Sequence, residues 1–243
     1  MLTAVLLSGG LDSAVLVADE ASRDEVQPIY VSAGLAWEAA ERAIIARMLE
    51  TAPFDRTGPA EAGRRGGVRT LVALNVDMRD VYAATHWAVE GRPPAYHTPD
   101  EDVYLPGRNI VLLGKAGVFC AKAQIGRLVI GTLAHNPFPD ATPEFRAAMA
   151  QALTLGLGQP LQIEAPYAGM SKAEVIRRGA ALGVRFELTL SCMNPPTEQT
   201  ANGAWEASAV HCGECSKCRE RHDAFVDARV PDPTIYRTMT NLA

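Results

Sequence analysis

Two short stretches of this 243-residue sequence have residue types and spacings suited to chemistry. The first is Ser8-Gly9-Gly10-Leu11-Asp12-Ser13. It follows the apolar run Leu2–Leu7 and precedes a segment in which Ala14, Val15, Val17, Ala18 and Ala21 recur at helical spacing. A glycine-rich turn between a strand and a helix lets backbone N–H groups close on an anion, and the helix N-terminus adds its dipole. Ser8 and Ser13 offer hydroxyl donors. Asp12 has the wrong charge for a phosphate unless it holds Mg2+ or caps the helix. The loop lacks the Gly-Lys-Ser/Thr of a Walker A motif and the third glycine of a dinucleotide fingerprint, so it reads as a phosphate loop of another kind.

The second stretch is Cys212-Gly213-Glu214-Cys215-Ser216-Lys217-Cys218. A tight turn at Gly213 directs three thiols, spaced by three residues, at one ion, and Cys192 is the expected fourth ligand. Four thiolates satisfy tetrahedral Zn2+ and leave no open position, which makes the site structural; an iron–sulfur cluster is the competing occupant. His211 and His222 flank the cluster and are expected at the surface or beside the ligands. Cys120, within Val118-Phe119-Cys120-Ala121, reads as a small core residue.

Several single residues join these stretches. Arg108, after a Pro-Gly turn, either clamps a phosphate or carboxylate ligand bidentately or pairs with a surface carboxylate of the chain. Lys172 in the first turn of a helix runs against the dipole preference for anions there, so it either meets an anionic ligand or is a solvated lysine. Asp140 is either an acceptor for the N–H edge of a base or a helix cap before Pro143. His135, after the fourth strand, is expected to line the pocket. Tyr96 and His97 are candidates to close over a substrate, and Trp37 either stacks on a planar ring or packs in the core.

The elements that must position these residues follow from periodicity. Strands are expected at Leu2–Leu7, Val26–Val31, Val68–Val76 and Leu128–Gly131. Helices are expected from Asp12 to Ala21, Glu38 to Leu49, Asn109 to Gln124, Pro143 to Leu155 and Ser171 to Leu182. The helix at 109–124 is nearly all apolar, which predicts burial, with Gly114 and Gly117 allowing close approach to the sheet. The alternation implies an α/β fold: a doubly wound, Rossmann-like parallel sheet with its ligand site beyond the strand C-termini. Residues 52–67 read as a polar surface connection, and the proline-rich 91–107 as a lid or substrate loop. From about Leu190 the composition turns to Cys, Pro and polar residues. The expected division is residues 1–189 as the α/β domain and 190–243 as a small zinc-binding region packed on it.

Bulk composition narrows the partners. With 48% hydrophobic residues the chain buries one substantial core. A net charge of −5 disfavours a grip on long nucleic acid, which needs a basic face. No stretch approaches the roughly 20 apolar residues that span a bilayer. No secretory signal is read at the start, and the clustered cysteines suit metal better than disulfides, so the expected compartment is the cytoplasm. A small-molecule substrate is expected, with no nucleic acid or membrane partner and with a homodimer left open.

The loop resembles the SGGxDS loop of the ATP pyrophosphatase (PP-loop) superfamily. Over nearly its whole length the chain looks like a member of the 7-cyano-7-deazaguanine synthase family of queuosine biosynthesis. The resemblance is carried by Ser8–Ser13, Leu105-Pro106-Gly107-Arg108-Asn109, Phe138-Pro139-Asp140 with Glu144-Phe145, and Ser171-Lys172-Ala173-Glu174. Ser191-Cys192, the three later cysteines, Arg221 and Ala224-Phe225 complete it. It implies an ATP-dependent carbon–nitrogen ligase that forms AMP and diphosphate, with ATP and Mg2+ on Ser8, Gly9, Gly10, Leu11, Asp12 and Ser13. Zn2+ would sit on Cys192, Cys212, Cys215 and Cys218. Asp12, Arg108 and Lys172 are the expected catalytic groups, and Arg108, His135 and Asp140 the substrate contacts. The implied substrates are 7-carboxy-7-deazaguanine and ammonia.

The chain departs from the family pattern at three places. Ala33-Gly34-Leu35-Ala36-Trp37-Glu38 replaces an aromatic-x-Gln-Arg-His stretch. Pro139-Asp140-Ala141 stands for Pro-Asp-Cys in a shortened loop, and the Cys192–Cys212 gap is long. These departures keep open a relative that adenylylates another small carboxylate or base. A tRNA-thiolating enzyme of the superfamily is disfavoured by the acidic balance and the core setting of Cys120. A non-catalytic nucleotide sensor is disfavoured by the intact loop.

Overall fold

In the computed structural model, residues 1–55, 66–196, 198–199, 205–206 and 210–238 are described; most of the connection expected over 52–67 lies outside them. The chain runs β1 (Leu2–Leu6), α1 (Leu11–Ala21), β2 (Glu25–Ser32), α2 (Glu38–Leu49), β3 (Gly67–Val68), β4 (Val72–Asn75) and α3 (Trp87–Glu90). It continues through α4 (Arg108–Lys122), β5 (Arg127–Val129), α5 (Pro143–Leu157), β6 (Gln162–Glu164) and α6 (Lys172–Ala181). A short antiparallel pair, β7 (Glu198–Gln199) and β8 (Trp205–Glu206), precedes α7 (Ser216–Ala228).

The main sheet is parallel, in the order β3-β2-β1-β5-β6, with β4 also alongside β2. Period-two alternation feeds both of its faces. Val5 and Leu7 point into a core with α1, α2, α6 and α7, which supply Val15, Ile44, Ile176 and Phe225 among others. Ala4 and Leu6 point the other way, onto Leu113, Ala116 and Cys120 of α4, with Phe145, Met149 and Leu153 of α5 behind them. This is the doubly wound architecture that the alternation of elements predicts.

The structure refines several expectations. The strand expected at Val68–Val76 is two short strands, both beside β2. β6 and α7 were not legible: β6 is three residues long, and α7 is polar enough to read as a cysteine-rich tail. The helix expected to be buried all round is two-sided. Leu113, Ala116 and Cys120 of α4 are buried, whereas Ile110 and Val118 are 48% and 52% exposed. Its glycines make room for α5 rather than for the sheet: a Cβ on Gly117 would lie 2.6 Å from a Leu153 methyl, and one on Gly114 would meet Met149.

Helix ends follow local rules. Thr142 caps α5 through Phe145 N–H. Ser171 and Glu174 form a reciprocal capping box that fixes the start of α6, and with it Lys172. α7 is clamped to the segment carrying Cys192 by the buried Arg221, which donates to Thr189 Oγ1, Ser191 Oγ, the Phe186 carbonyl and Thr234 Oγ1. Among the described residues, no helix is long and apolar enough to cross a membrane.

Candidate active site and metal centre

The Ser8–Ser13 loop lies at the C-terminal end of β1, where the first turn of α1 opens. It is tied to itself: Ser8 N–H donates to Ser13 Oγ (3.2 Å), Gly10 N–H to Ser8 Oγ (3.3 Å), and Ser13 Oγ to the Gly10 carbonyl (3.0 Å). Gly9 has φ +77°, and a Cβ there would press on Ile44 and on the Glu41 carbonyl, so the position requires glycine. The Gly9 carbonyl accepts from Leu190 N–H at 2.8 Å, which links the loop to the Cys192 segment.

Two adjoining chambers open over the loop, of about 250 Å³ and about 400 Å³. Ser8, Gly10, Asp12, Glu41 and Arg108 border both. The first has apolar walls from β1, β2 and residues 103–105, so part of the proline-rich loop does line a cavity. Tyr96 and His97 border neither chamber. Tyr96 is buried, and its carbonyl accepts from Arg219. Trp37 borders the second chamber but stacks on Trp87, with centroids 5.8 Å apart and planes 11° apart, which is the core-packing alternative.

Asp12 and Lys172 meet in the second chamber, with Lys172 Nζ 3.3 Å from Asp12 Oδ2 and also paired with Glu220. Asp12 Oδ1 is buried and has no hydrogen-bond partner among the described residues. Burial holds the Asp12 carboxyl above its usual range, although Lys172 works against this. Burial opposes charge on Lys172, but Asp12 and Glu220 raise it above the ordinary lysine range. Arg108 opens α4, and its Nε is likewise buried without a partner among the described residues. His135, with φ +58°, lines the second chamber.

Asp140 borders the first chamber, but its carboxylate is already engaged. It accepts from Asn109 N–H (3.0 Å) and from Asn109 Nδ2 (3.3 Å), so it caps the first turn of α4; the cap before Pro143 is Thr142. The loop, Asp12, Lys172, Arg108 and His135 therefore share one cleft, and Asp140 sits at its edge holding the helix that presents Arg108.

Sequence reasoning missed four acidic and basic residues here: Glu38, Glu41, Lys217 and Glu220. Glu38 accepts from Ser32 Oγ and Ala33 N–H, and Glu41 from Tyr30 Oη (2.8 Å) and Trp37 Nε1 (3.1 Å). The available signal was two carboxylates three residues apart on the buried face of an alanine-rich helix. Burial, with Glu38 nearby, pushes Glu41 up to about 7, against the pull of Arg108 and its two hydrogen-bond donors. The native protein then holds a proton that the unfolded chain releases near the ordinary glutamate value. Stability should therefore fall as pH rises from about 4.5 to about 7, by an amount on the order of 3 kcal/mol, and level off above that. Urea unfolding of the ligand-free protein at pH 5 and pH 8 checks this. The Glu41→Gln variant should lose that component of the slope, and an unchanged slope would remove Glu41 as its source.

The four cysteine sulfurs Cys192, Cys212, Cys215 and Cys218 are buried and lie within 4.8 Å of one another. Cys215 and Cys218 sit at the start of α7, and Cys212 precedes it across the Gly213 turn. There φ is +79°, and a Cβ would strike the Thr238 carbonyl. Asn194 and Cys212 N–H groups donate to Cys192 Sγ, and Glu214 N–H donates to Cys212 Sγ, each at 3.3 Å. Donors aimed at sulfur suit thiolates, and the four residues could hold a metal ion. His211 is buried rather than at the surface, and its Nε2 accepts from Ser191 N–H.

The family model described as Queuosine biosynthesis protein QueC matches residues 3–229. The chain belongs to this family. A 7-cyano-7-deazaguanine synthase of Methanopyrus kandleri is 33% identical, over 96% of this chain and 98% of the relative. One from Xanthomonas campestris pv. campestris is 31% identical over 96% of each. A solved structure from Methanocaldococcus jannaschii, described as a predicted subunit of tRNA methyltransferase, covers 74% of each chain at 17% identity and a TM-score of 0.43. Membership of the QueC family agrees with both signatures described above, the glycine loop over α1 and the four-thiol cluster.

Proposed function

We propose that this chain is a 7-cyano-7-deazaguanine synthase: it uses ATP to activate the carboxylate of 7-carboxy-7-deazaguanine and converts it with ammonia to the nitrile. The observation that carries the reading is the convergence, in one cleft of a QueC-family chain, of the Ser8–Ser13 loop, Asp12, Lys172 and Arg108. A carboxylate cannot expel oxide. Its oxygen therefore attacks the α-phosphorus of ATP, the bond to the β-phosphate breaks, and pyrophosphate leaves. Ammonia displaces AMP from the acyl-adenylate to give an amide. A second activation, now at the amide oxygen, lets that oxygen depart with AMP and leaves the nitrile.

The chain contributes mainly position and charge. The N–H groups of the first turn of α1, which have no partner within the helix, hold the phosphates over the loop. Arg108 and Lys172 stand at the cleft to neutralise charge on the nucleotide and the attacking carboxylate. The buried, unpartnered Asp12 Oδ1 suits Mg2+, which would offset phosphate charge when bound. His135 borders the second chamber, within reach of a substrate held there. Asp140, engaged with Asn109, supports the site by fixing α4 at the border of the first chamber. Four thiolates suit Zn2+ in a closed, structural role.

Incubation with the acid, ATP, Mg2+ and ammonium should yield the nitrile by mass spectrometry, with AMP and pyrophosphate formed alongside it. An amide without nitrile would limit the chain to the first half-reaction. Unchanged acid, with a folded and ATP-binding protein, would overturn the acceptor. A second reading, a different small carboxylate as acceptor, is favoured by one feature: the segment Ala33–Glu38, which replaces the aromatic-x-Gln-Arg-His stretch of the family pattern, puts the buried Glu38 at the wall of the first chamber.

A further inference from the structure

Helix α7 carries more than two cysteines to the site. Lys217 and Glu220 lie on the side of α7 that borders the second chamber, which Ser8 and Gly10 also line. Glu220 pairs with Lys172 through Oε1 and with Lys217 through Oε2, the latter at 2.5 Å. Lys172 continues the chain to Asp12. The order is cation, anion, cation, anion, and all four side chains are only 16–26% exposed.

Burying charge is costly unless every member has a partner. Each oxygen of Glu220 is occupied by an ammonium group, so Glu220 works as a spacer between two cations. An ammonium has three donors, and Lys217 spends one of them on Glu220. The four charges sum to zero, and Lys217, at the end of the chain and bonded within it to Glu220 alone, keeps further donors beside the chamber that it shares with the glycine loop. The position of Lys217 and Glu220 is set from outside the chamber. Cys215 and Cys218 hold the first turn of α7, Ser216 N–H donates to the Pro94 carbonyl, and Arg221 clamps the helix from behind.

The geometry points to Lys217 as a further phosphate-binding residue and to Glu220 as the positioning residue that sets Lys217 and Lys172 on either flank of one anion, the diphosphate end of the nucleotide. This rests on the reading of the Ser8–Ser13 loop as an ATP site. It extends that reading by making α7, the metal-cluster helix, a supplier of ligand contacts.

The test is calorimetric binding of inorganic pyrophosphate, ATP and adenosine to the full chain in the presence of Mg2+. Lys217→Met should raise Kd for pyrophosphate and ATP by about tenfold or more, as expected for one charge-assisted hydrogen bond, and leave adenosine unaffected. Lys217→Arg, which keeps the charge, should recover most of the loss. In a Glu220→Gln background, Lys217→Met should cost much less, because its ammonium is no longer held. Unchanged pyrophosphate affinity in Lys217→Met overturns the phosphate contact, and so does an equal loss for adenosine. Losses that multiply independently in the double variant overturn the role of Glu220. Each of these outcomes leaves the proposed function standing. A parent chain that binds neither ATP nor pyrophosphate would remove both.

Discussion

Asp12→Ala should cut ATP turnover by roughly 100- to 1000-fold, the scale set by losing one preorganised electrostatic contact, while melting at or above the parent temperature. Both halves of this expectation come from the same atoms. Asp12 Oδ1 is buried without a hydrogen-bond partner among the described residues, and burial already raises the carboxyl above its usual range. Its removal therefore relieves desolvation. Lys172 keeps Glu220 as a partner, so no lysine charge is stranded. Chromatography of the turnover products and a thermal melt read the two halves separately. Turnover within tenfold of the parent would deny Asp12 a ligand role. A parent that formed ADP and phosphate would show that the loop does not serve cleavage between the α- and β-phosphates.

Cys215→Ser should take the metal content from one zinc per chain to near zero and lower the melting temperature sharply. Zinc bound by such sets contributes about 10–16 kcal/mol in small peptides, so even partial loss is comparable with the stability of a whole domain. The effect should be global rather than local, because all four thiols belong to the same apolar core as Val5 and Phe225. Elemental analysis and calorimetry check it. A brown, iron-containing parent or a metal-free one would overturn the zinc assignment.

Local pattern made some of this molecule readable and distance hid the rest. The phosphate loop was legible because its glycines, hydroxyls and flanking strand and helix are contiguous, and the cysteines because three of them share one turn. The four residues from Ser171 to Glu174 were legible as part of the family resemblance, and the structure shows them as a capping box. Glu220 could not, since its meaning depends on Lys172, nearly fifty positions earlier, and α7 was masked by its own polarity. Asp140 was ambiguous for a different reason. A carboxylate before a helix serves a ligand or a backbone equally well, and its actual partner, Asn109, lies 31 residues away. The burial expected for α4 followed composition; α5 covers one side of the helix, and Ile110 and Val118 remain outside.

Phe225 meets Phe186 edge-on, 5.3 Å between centroids, in the core that also contains Val5 of the central strand. During synthesis, then, β1 waits for α7, far along the chain, before the part of the core that they share is complete. Until residue 228 is out, the face of α6 that packs on α7 has no cover, and a nascent chain stalled after α6 presents it to solvent and to chaperones. The order of translation thus places assembly of the four-thiol cluster and closure of this part of the core in the same interval.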